Sequence, residues 1–560
     1  MIERHKVPNW AWRGTAYAAI FCTAILCLAA TVAAAQQPSP AAPSASPAQP
    51  ATHITPEQAK QLFSLVDVLM KFSSAETGLP IKSAVKRQLI TRDAVQKYLT
   101  EKFNDDQDAK RLERDEIVLK KFGLLDRDFD LKPFLLALLK EQIEAYYDAK
   151  TRTINLLDWV DIDEQKPVLA HELTHALQDQ RVGLEKWDDQ TPDDVSATAA
   201  GDQNNLARDE MDTSRDAVAE GQATAVMIDY VLKPMGKSLI KDPEVLDLVQ
   251  GQMTSSDSPV MSRAPLLLSE SMLFPYRQGL SFEQDVWMDK GQDAAFAGTL
   301  DHPPTSSWEI INPRDYEKQL APPVPLLPDF HPLTDKLYRP YDIGQVGQLD
   351  VRILTELFGG QAISRDLTPA WDGGLYWAGQ LRTAATPAEQ DTTQSLALFY
   401  LSVWKSEPSA QVFAKLYAAN LGQKYASLKP DPSAQSSAPT AGGEVEQVFS
   451  TNEGPVVITT RGKMVFVAES FPLDLARKLT ALILDAQGAG EMRMADAPFV
   501  TVPGQPVTQQ MGAPGPAFGT RDTTNLNQPA MEPLTADLVR FFQNCGVMKV
   551  AVDAAMRAAH

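Results

Sequence analysis

His171-Glu172-Leu173-Thr174-His175 sets two imidazoles four residues apart, with a carboxylate beside the first. On a helix that spacing is close to one turn, so both rings leave the same face. Two imidazole nitrogens on one face can converge on a single Zn2+ at about 2.0–2.1 Å, and the adjacent acid can reach a water held at the metal's open position. The pattern therefore points to metal-assisted hydrolysis, with His171 and His175 as ligands and Glu172 as general base. With 7 histidines in 560 residues, chance would produce it on the order of 0.005 times per chain. A pair of core histidines is the plainer alternative.

Catalytic zinc usually takes three protein ligands and keeps one position open. No further histidine follows closely; the next is His302. Glu220 is the expected third ligand. It is the one acid in the small and apolar run Ala217-Val218-Ala219-Glu220-Gly221-Gln222-Ala223-Thr224-Ala225-Val226. An uncompensated carboxylate is costly to bury there, and a cation removes the cost. Gly221 inside a helix suits the close approach of a second backbone. The plainer reading of Glu220 is a helix-edge acid facing water. Asp216 and Asp229 are rival ligands in weaker apolar settings.

The run from His171 to Asp179 (His-Glu-Leu-Thr-His-Ala-Leu-Gln-Asp) resembles the active-site helix of thermolysin-type gluzincins. Glu220-Gly221-Gln222-Ala223 resembles their glutamate-ligand helix, and the arrangement is most similar to the minimal, minigluzincin-like bacterial forms. The resemblance spans about 145–234 and leaves the chain beyond 340 uncovered. It implies a zinc metallopeptidase: Zn2+ held by His171, His175 and Glu220, Glu172 as catalytic base, and a peptide or protein as substrate. It also implies that the hairpin before His171 supplies an edge strand for extended substrate. One position departs from the pattern. The residue four beyond the ligand glutamate is Thr224, where the family has an aspartate. Asp179 is a candidate orienter of a ligand imidazole or a simple helix cap. Tyr276, Arg277 and His302 follow downstream without an assignable role.

The elements needed to position these groups are legible nearby. Thr55-Pro56-Glu57-Gln58 opens a helix, with Thr as N-cap and Pro in the first turn. Lys82 to Ile90 alternates partly as a strand. Ala145 to Leu156 reads as a hairpin, with Tyr, Thr and Ile in the strands and Asp148 to Lys150 in the turn. The motif helix is expected over 168–180, stopped by Gly183, and the Glu220 helix from about Ser214 to Lys233. Between them, 184–216 is polar and acidic and reads as a solvated loop, with a calcium site as the lesser alternative because EF-hand spacing is missing. The region 53–139 is either an integral lobe or a removable prosegment. Past the prolines of 321–340, strands are expected at 374–382, 395–404, 445–450, 456–460 and 464–470, with helices at 410–425 and 474–484. The aromatic residues Trp371, Tyr376, Trp377, Phe399, Tyr400 and Trp404 read as core rather than as a ligand platform.

The predicted class is thus α+β: a mostly helical zincin-like domain with a small sheet, followed by a second α+β module. The boundaries are a signal peptide over 1–35, a Pro/Ala-rich spacer over 36–54, the metal domain over 55–320, a Pro-rich linker over 321–340, the second module over 341–488, and a loop-rich tail with a terminal helix over 489–560.

The chain opens with Arg4, Lys6 and Arg13, an apolar run from Ala16 to Val32, and Ala33-Ala34-Ala35. This is the pattern of a cleaved secretory leader, so export without stable membrane insertion is expected; an uncleaved anchor is the alternative. Cleavage removes Cys22 and Cys27 and leaves Cys545 alone, so the processed chain cannot form an internal disulfide. A formal charge of −20 and a pI near 4.9 set the chain against phosphate backbones, so no nucleic-acid partner is expected. The reading is an exported zinc-dependent metallopeptidase. The competing reading is a non-catalytic envelope protein with a structural zinc site or a peptide-binding cleft.

Overall fold

Three short strands and a group of helices surround the motif. In the computed structural model, the described residues are 54–487 and 492–493, apart from 96, 98–105, 143–144, 161, 189–194, 244, 247–259, 321 and 434–443. The expected leader, most of the spacer, most of the tail and Cys545 lie outside them. Helix α1 (Pro56–Thr77) starts as its sequence dictates: the Thr55 side chain accepts from the Gln58 amide, and Gln58 reaches back to the Thr55 N–H. Strand β1 (Lys86–Ile90) pairs in parallel with β3 (Thr153–Leu157), which pairs antiparallel with β2 (Ala145–Asp148). The sheet order β1-β3-β2 makes β2 an edge strand. Asp148 ties the hairpin turn by accepting from the Thr151 amide and hydroxyl.

Helix α2 spans Asp106–Phe122, α3 (Ile162–Val182) carries the motif, and α4 (Arg208–Leu232) carries Glu220. Both helices begin about six residues before their expected starts. Helix α3 ends at Gly183, whose φ of +74° stops it as expected. Helix α1 packs along α3, and the Ser73 hydroxyl donates to the Ala170 carbonyl at 3.0 Å.

The acidic stretch 184–216 is not a solvated loop where it is described. Leu184–Asp188 and Ala199–Asn205 are helical, and Asp202 and Glu210 are buried. Their partners are distant in sequence. Asp202 Oδ2 lies 2.9 Å from His331 Nε2, and Glu210 accepts from the Ser307 amide and hydroxyl at 2.9 Å each. Hydrophilicity marked these residues as surface, whereas tertiary hydrogen bonds bury them.

The second half is built on an antiparallel sheet of seven strands. They are β4 (Tyr338–Gln345), β5 (Trp371–Leu381), β6 (Leu396–Trp404), β7 (Leu428–Pro430), β8 (Val445–Thr451), β9 (Gly454–Arg461) and β10 (Met464–Glu469), in the order β4-β5-β6-β10-β9-β8-β7. The α+β class is therefore as expected. Alternate residues of β6 face opposite sides: Leu398 and Tyr400 enter one core, Phe399 and Leu401 the other. Helices α5 (Gln348–Gly359) and α6 (Glu407–Lys424) cover the first face, and α7 (Leu473–Ala486) covers the second. Trp371, Trp377, Phe399, Tyr400 and Trp404 are all buried, and most of the aromatic population is core.

The sequence-derived boundary between halves is not a structural break. All of these elements belong to one compact unit. The expected linker buries Leu327, Phe330 and His331, and β4 begins inside it. Pro340 is tolerated because β4 is an edge strand whose register shifts between Pro340 and Asp342. Helix α2 (Asp106–Phe122), from the region weighed as a prosegment, sends Ile117, Val118 and Phe122 into the sheet's core. Its Lys121, fully buried, pairs with Glu453 at 2.8 Å. Among the described residues no helix is long and apolar enough to cross a membrane.

Candidate metal centre

Helix α3 is amphipathic in an unusual sense, because its polar motif residues face inward. His171, Glu172 and Glu220 are at most 1% exposed and His175 is 7% exposed. The Nε2 atoms of His171 and His175 are 3.1 Å apart. Glu220 offers one oxygen to each: Oε2 is 3.1 Å from His171 Nε2, and Oε1 is 3.4 Å from His175 Nε2. The three groups keep donor atoms within 4.8 Å of one another. Ligand atoms around an ion with bonds of about 2.0–2.1 Å stand roughly 3.3 Å apart in a tetrahedron. The observed separations fit that shape, so this buried group can hold a metal ion. It is the one such group of three or more His, Cys, Asp or Glu among the described residues.

Helix α4 is stripped to small residues where it faces a neighbouring backbone. A Cβ on Gly221 would stand 2.4 Å from the Gly279 carbonyl group, and a Cβ on Gly279 would stand 2.1 Å from the Ala217 oxygen. The backbone of α4 is thus pressed against the turn Pro275–Gly279, as Gly221 led us to expect. That turn also sets the Tyr276 ring near parallel to His171, centroids 6.4 Å apart.

Glu172 is held by the edge strand. The Tyr147 N–H donates to Glu172 Oε2 at 2.8 Å, and the Tyr147 hydroxyl donates to Asp179 Oδ2 at 3.0 Å. Burial, reinforced by Asp179, pushes the Tyr147 phenol well above its ordinary pKa, so it stays a donor. Asp179 also accepts from the Leu184 amide. It therefore anchors the hairpin and the helix end, and the side chain bonded to His175 is instead Gln178, whose Oε1 is 2.8 Å from Nδ1. Sequence reading missed Gln178, although its place three residues after His175 puts it on the same helical face.

The rival ligands stand apart from the triad. Asp229 accepts from the Leu239 amide at 2.7 Å, and burial pushes its carboxyl up to about 6. Asp216, one turn before Glu220 on α4, is half-buried. Neither joins the group of converging donors. Thr224 is fully buried, and its hydroxyl makes no hydrogen bond among the described residues. It does not take the orienting part that an aspartate would take there. Arg277 lies 3.6 Å from Glu270, and His302 is outside the triad. Comparison with family models, with curated proteins and with solved structures finds no match to this chain.

Proposed function

We propose that the protein is an exported zinc metallopeptidase. The observation that carries the proposal is the buried triad His171, His175 and Glu220 with a second carboxylate, Glu172, beside it. Two imidazoles and one carboxylate form a donor set suited to Zn2+. A structural metal site does not need Glu172, whereas hydrolysis does. When bound, the zinc ion supplies Lewis acidity toward a scissile carbonyl and acidity to an attacking water.

The rest falls to the chain's own residues. His171, His175 and Glu220 hold the ion. Glu172 takes a proton from the water and passes it to the leaving amine. The Tyr147 N–H, donating to Glu172 Oε2, keeps that carboxylate in place. The edge strand β2 stands next to this acid, and this reading seats an extended peptide along its unpaired side. The leader-type N-terminus supports export.

The deciding experiment compares the wild-type chain with Glu172→Gln for metal content and for cleavage of a peptide library. One zinc per chain is expected in both. Cleavage is expected in the wild type, abolished by a chelator, and reduced at least ~10²–10⁴-fold in the variant. A zinc-loaded Glu172→Gln as active as wild type would remove Glu172 as the base. A zinc-loaded wild type that cuts no peptide would favour the structural-site reading instead.

A further inference from the structure

A line of buried side chains runs from the triad into the body of the protein. His175 Nδ1 meets Gln178 Oε1 at 2.8 Å. Gln178 Nε2 donates to the Ala219 carbonyl and to Gln222 Oε1, both at 2.9 Å. Gln222 Nε2 faces the Ala295 carbonyl at 2.9 Å, the Phe296 carbonyl at 3.0 Å and the Thr299 hydroxyl at 2.9 Å. Gln178, Gln222 and Thr299 are buried.

An imidazole nitrogen can donate or accept, and an amide group can be turned end for end. The polarity of this line must therefore be deduced, and its far end decides it. Carbonyl oxygens only accept. The Ala295 and Phe296 oxygens require the NH2 of Gln222 to face them, which turns Gln222 Oε1 toward Gln178. That oxygen and the Ala219 oxygen both require hydrogens from Gln178 and use both of those it has. Gln178 Oε1 is then left facing His175. A carbonyl oxygen there requires the proton on Nδ1, and a neutral imidazole protonated at Nδ1 carries its lone pair on Nε2. Nε2 is the atom that points into the triad.

We propose that Gln178 and Gln222 are positioning residues that fix the tautomer of His175 before any metal arrives. The backbone carbonyls of Ala219, Ala295 and Phe296 are the source of that polarity. The same Gln178 amide bonds the residue preceding Glu220, so it also fixes the distance between the two ligand helices. The inference rests on the triad being a metal site only for its effect on affinity. The tautomer itself is a property of the metal-free chain.

The test uses the full-length chain stripped of metal and labelled with 15N at histidine. Long-range 1H–15N correlation reads the tautomer of His175, whose signals are identified by their loss in His175→Asn. The expected result is a protonated Nδ1 and an unprotonated Nε2. In Gln178→Leu and Gln222→Leu, a mixture of tautomers is expected, and zinc affinity falls about 10–100-fold. An Nε2-protonated His175 in the wild type overturns the proposal, as does a folded Gln178→Leu chain with wild-type tautomer and zinc affinity. If the Leu variants do not fold, the wild-type spectrum decides alone. A wild type that shows the expected tautomer but binds no zinc would sink the metal site and leave the relay standing.

Discussion

Glu220 is a carboxylate with almost no water around it, flanked on its own helix by alanine, glycine and valine. Burying an isolated carboxylate is costly, and a cation held between it and the two imidazoles would remove that cost. Glu220→Ala removes one of three ligands while leaving the two on α3. The expected outcome is zinc occupancy well below one per chain after dialysis, by elemental analysis, with Asp229→Asn unchanged. Occupancy retained in Glu220→Ala and lost in Asp229→Asn would reassign the ligand. The types and spacing of His171, Glu172 and His175 were readable without coordinates because all three lie within one helical turn and a half. The part taken by Gln178 was not, since its value depends on Ala219 and Gln222 of another helix.

At the scale of elements, the contact that matters most is α4 against the turn Pro275–Gly279. Alanine is the better helix former by about 1 kcal/mol, which alone would make Gly221→Ala stabilising. The added methyl would meet the Gly279 backbone at 2.4 Å, and backbone cannot rotate away. Overpacking of this kind typically costs ~1–3 kcal/mol, and the backbone contact places this site at the upper end. A lower urea midpoint is expected, together with weaker zinc binding because Glu220 is the adjacent residue. A midpoint at or above wild type would show that the two backbones are not in contact. The hairpin, both ligand helices and most strands of the large sheet were legible from periodicity and turn residues. The starts of α3 and α4 were not, because the first turns are polar and their burial depends on partners far along the chain. Strand β4 was hidden for a related reason: Pro340 argues against a strand except at a sheet edge, and edge position is a tertiary property.

For the molecule as a whole, the unusual quantity is the number of acids held inside. Burial pushes Asp202 and Asp229 up to about 6 each, and it moves Asp209, Glu210, Glu283 and Glu309 in the same direction. An acid raised in the folded state is neutral in both states below the ordinary carboxylate range. As pH climbs, the unfolded chain gives up its proton first, so stability falls from about pH 4 through about 6. Glu469 opposes this trend. Burial raises it, but the ammonium groups of Lys424 and Lys121 outweigh burial and hold it below its usual value. Its window therefore lies under the ordinary carboxylate range and does not overlap. The chelator-treated chain is expected to unfold at higher urea at pH 5 than at pH 7. A midpoint that rises with pH over that interval would contradict this account of the buried acids. The acidic stretch 184–216 was read as a solvated loop because charge patterning carries no sign of the opposite surface. Likewise 321–340 looked like a linker because proline marks a break in local structure, not a break in packing.

The sequence alone determined the α+β class and the spacing that puts two imidazoles and an acid on one helical face. It also singled out Glu220 as a candidate third ligand and Gly221 as a point where a second backbone could approach. These are local consequences of helical and strand periods, and local periods are written in consecutive residues. Tertiary structure decided the convergence of His171, His175 and Glu220, the polarity of the amide line behind His175, and the packing of α2 and the proline-rich stretch into the cores on either face of the large sheet. Each of those depends on groups tens to hundreds of residues apart, whose meeting is fixed by packing and by the requirement that buried polar atoms find partners.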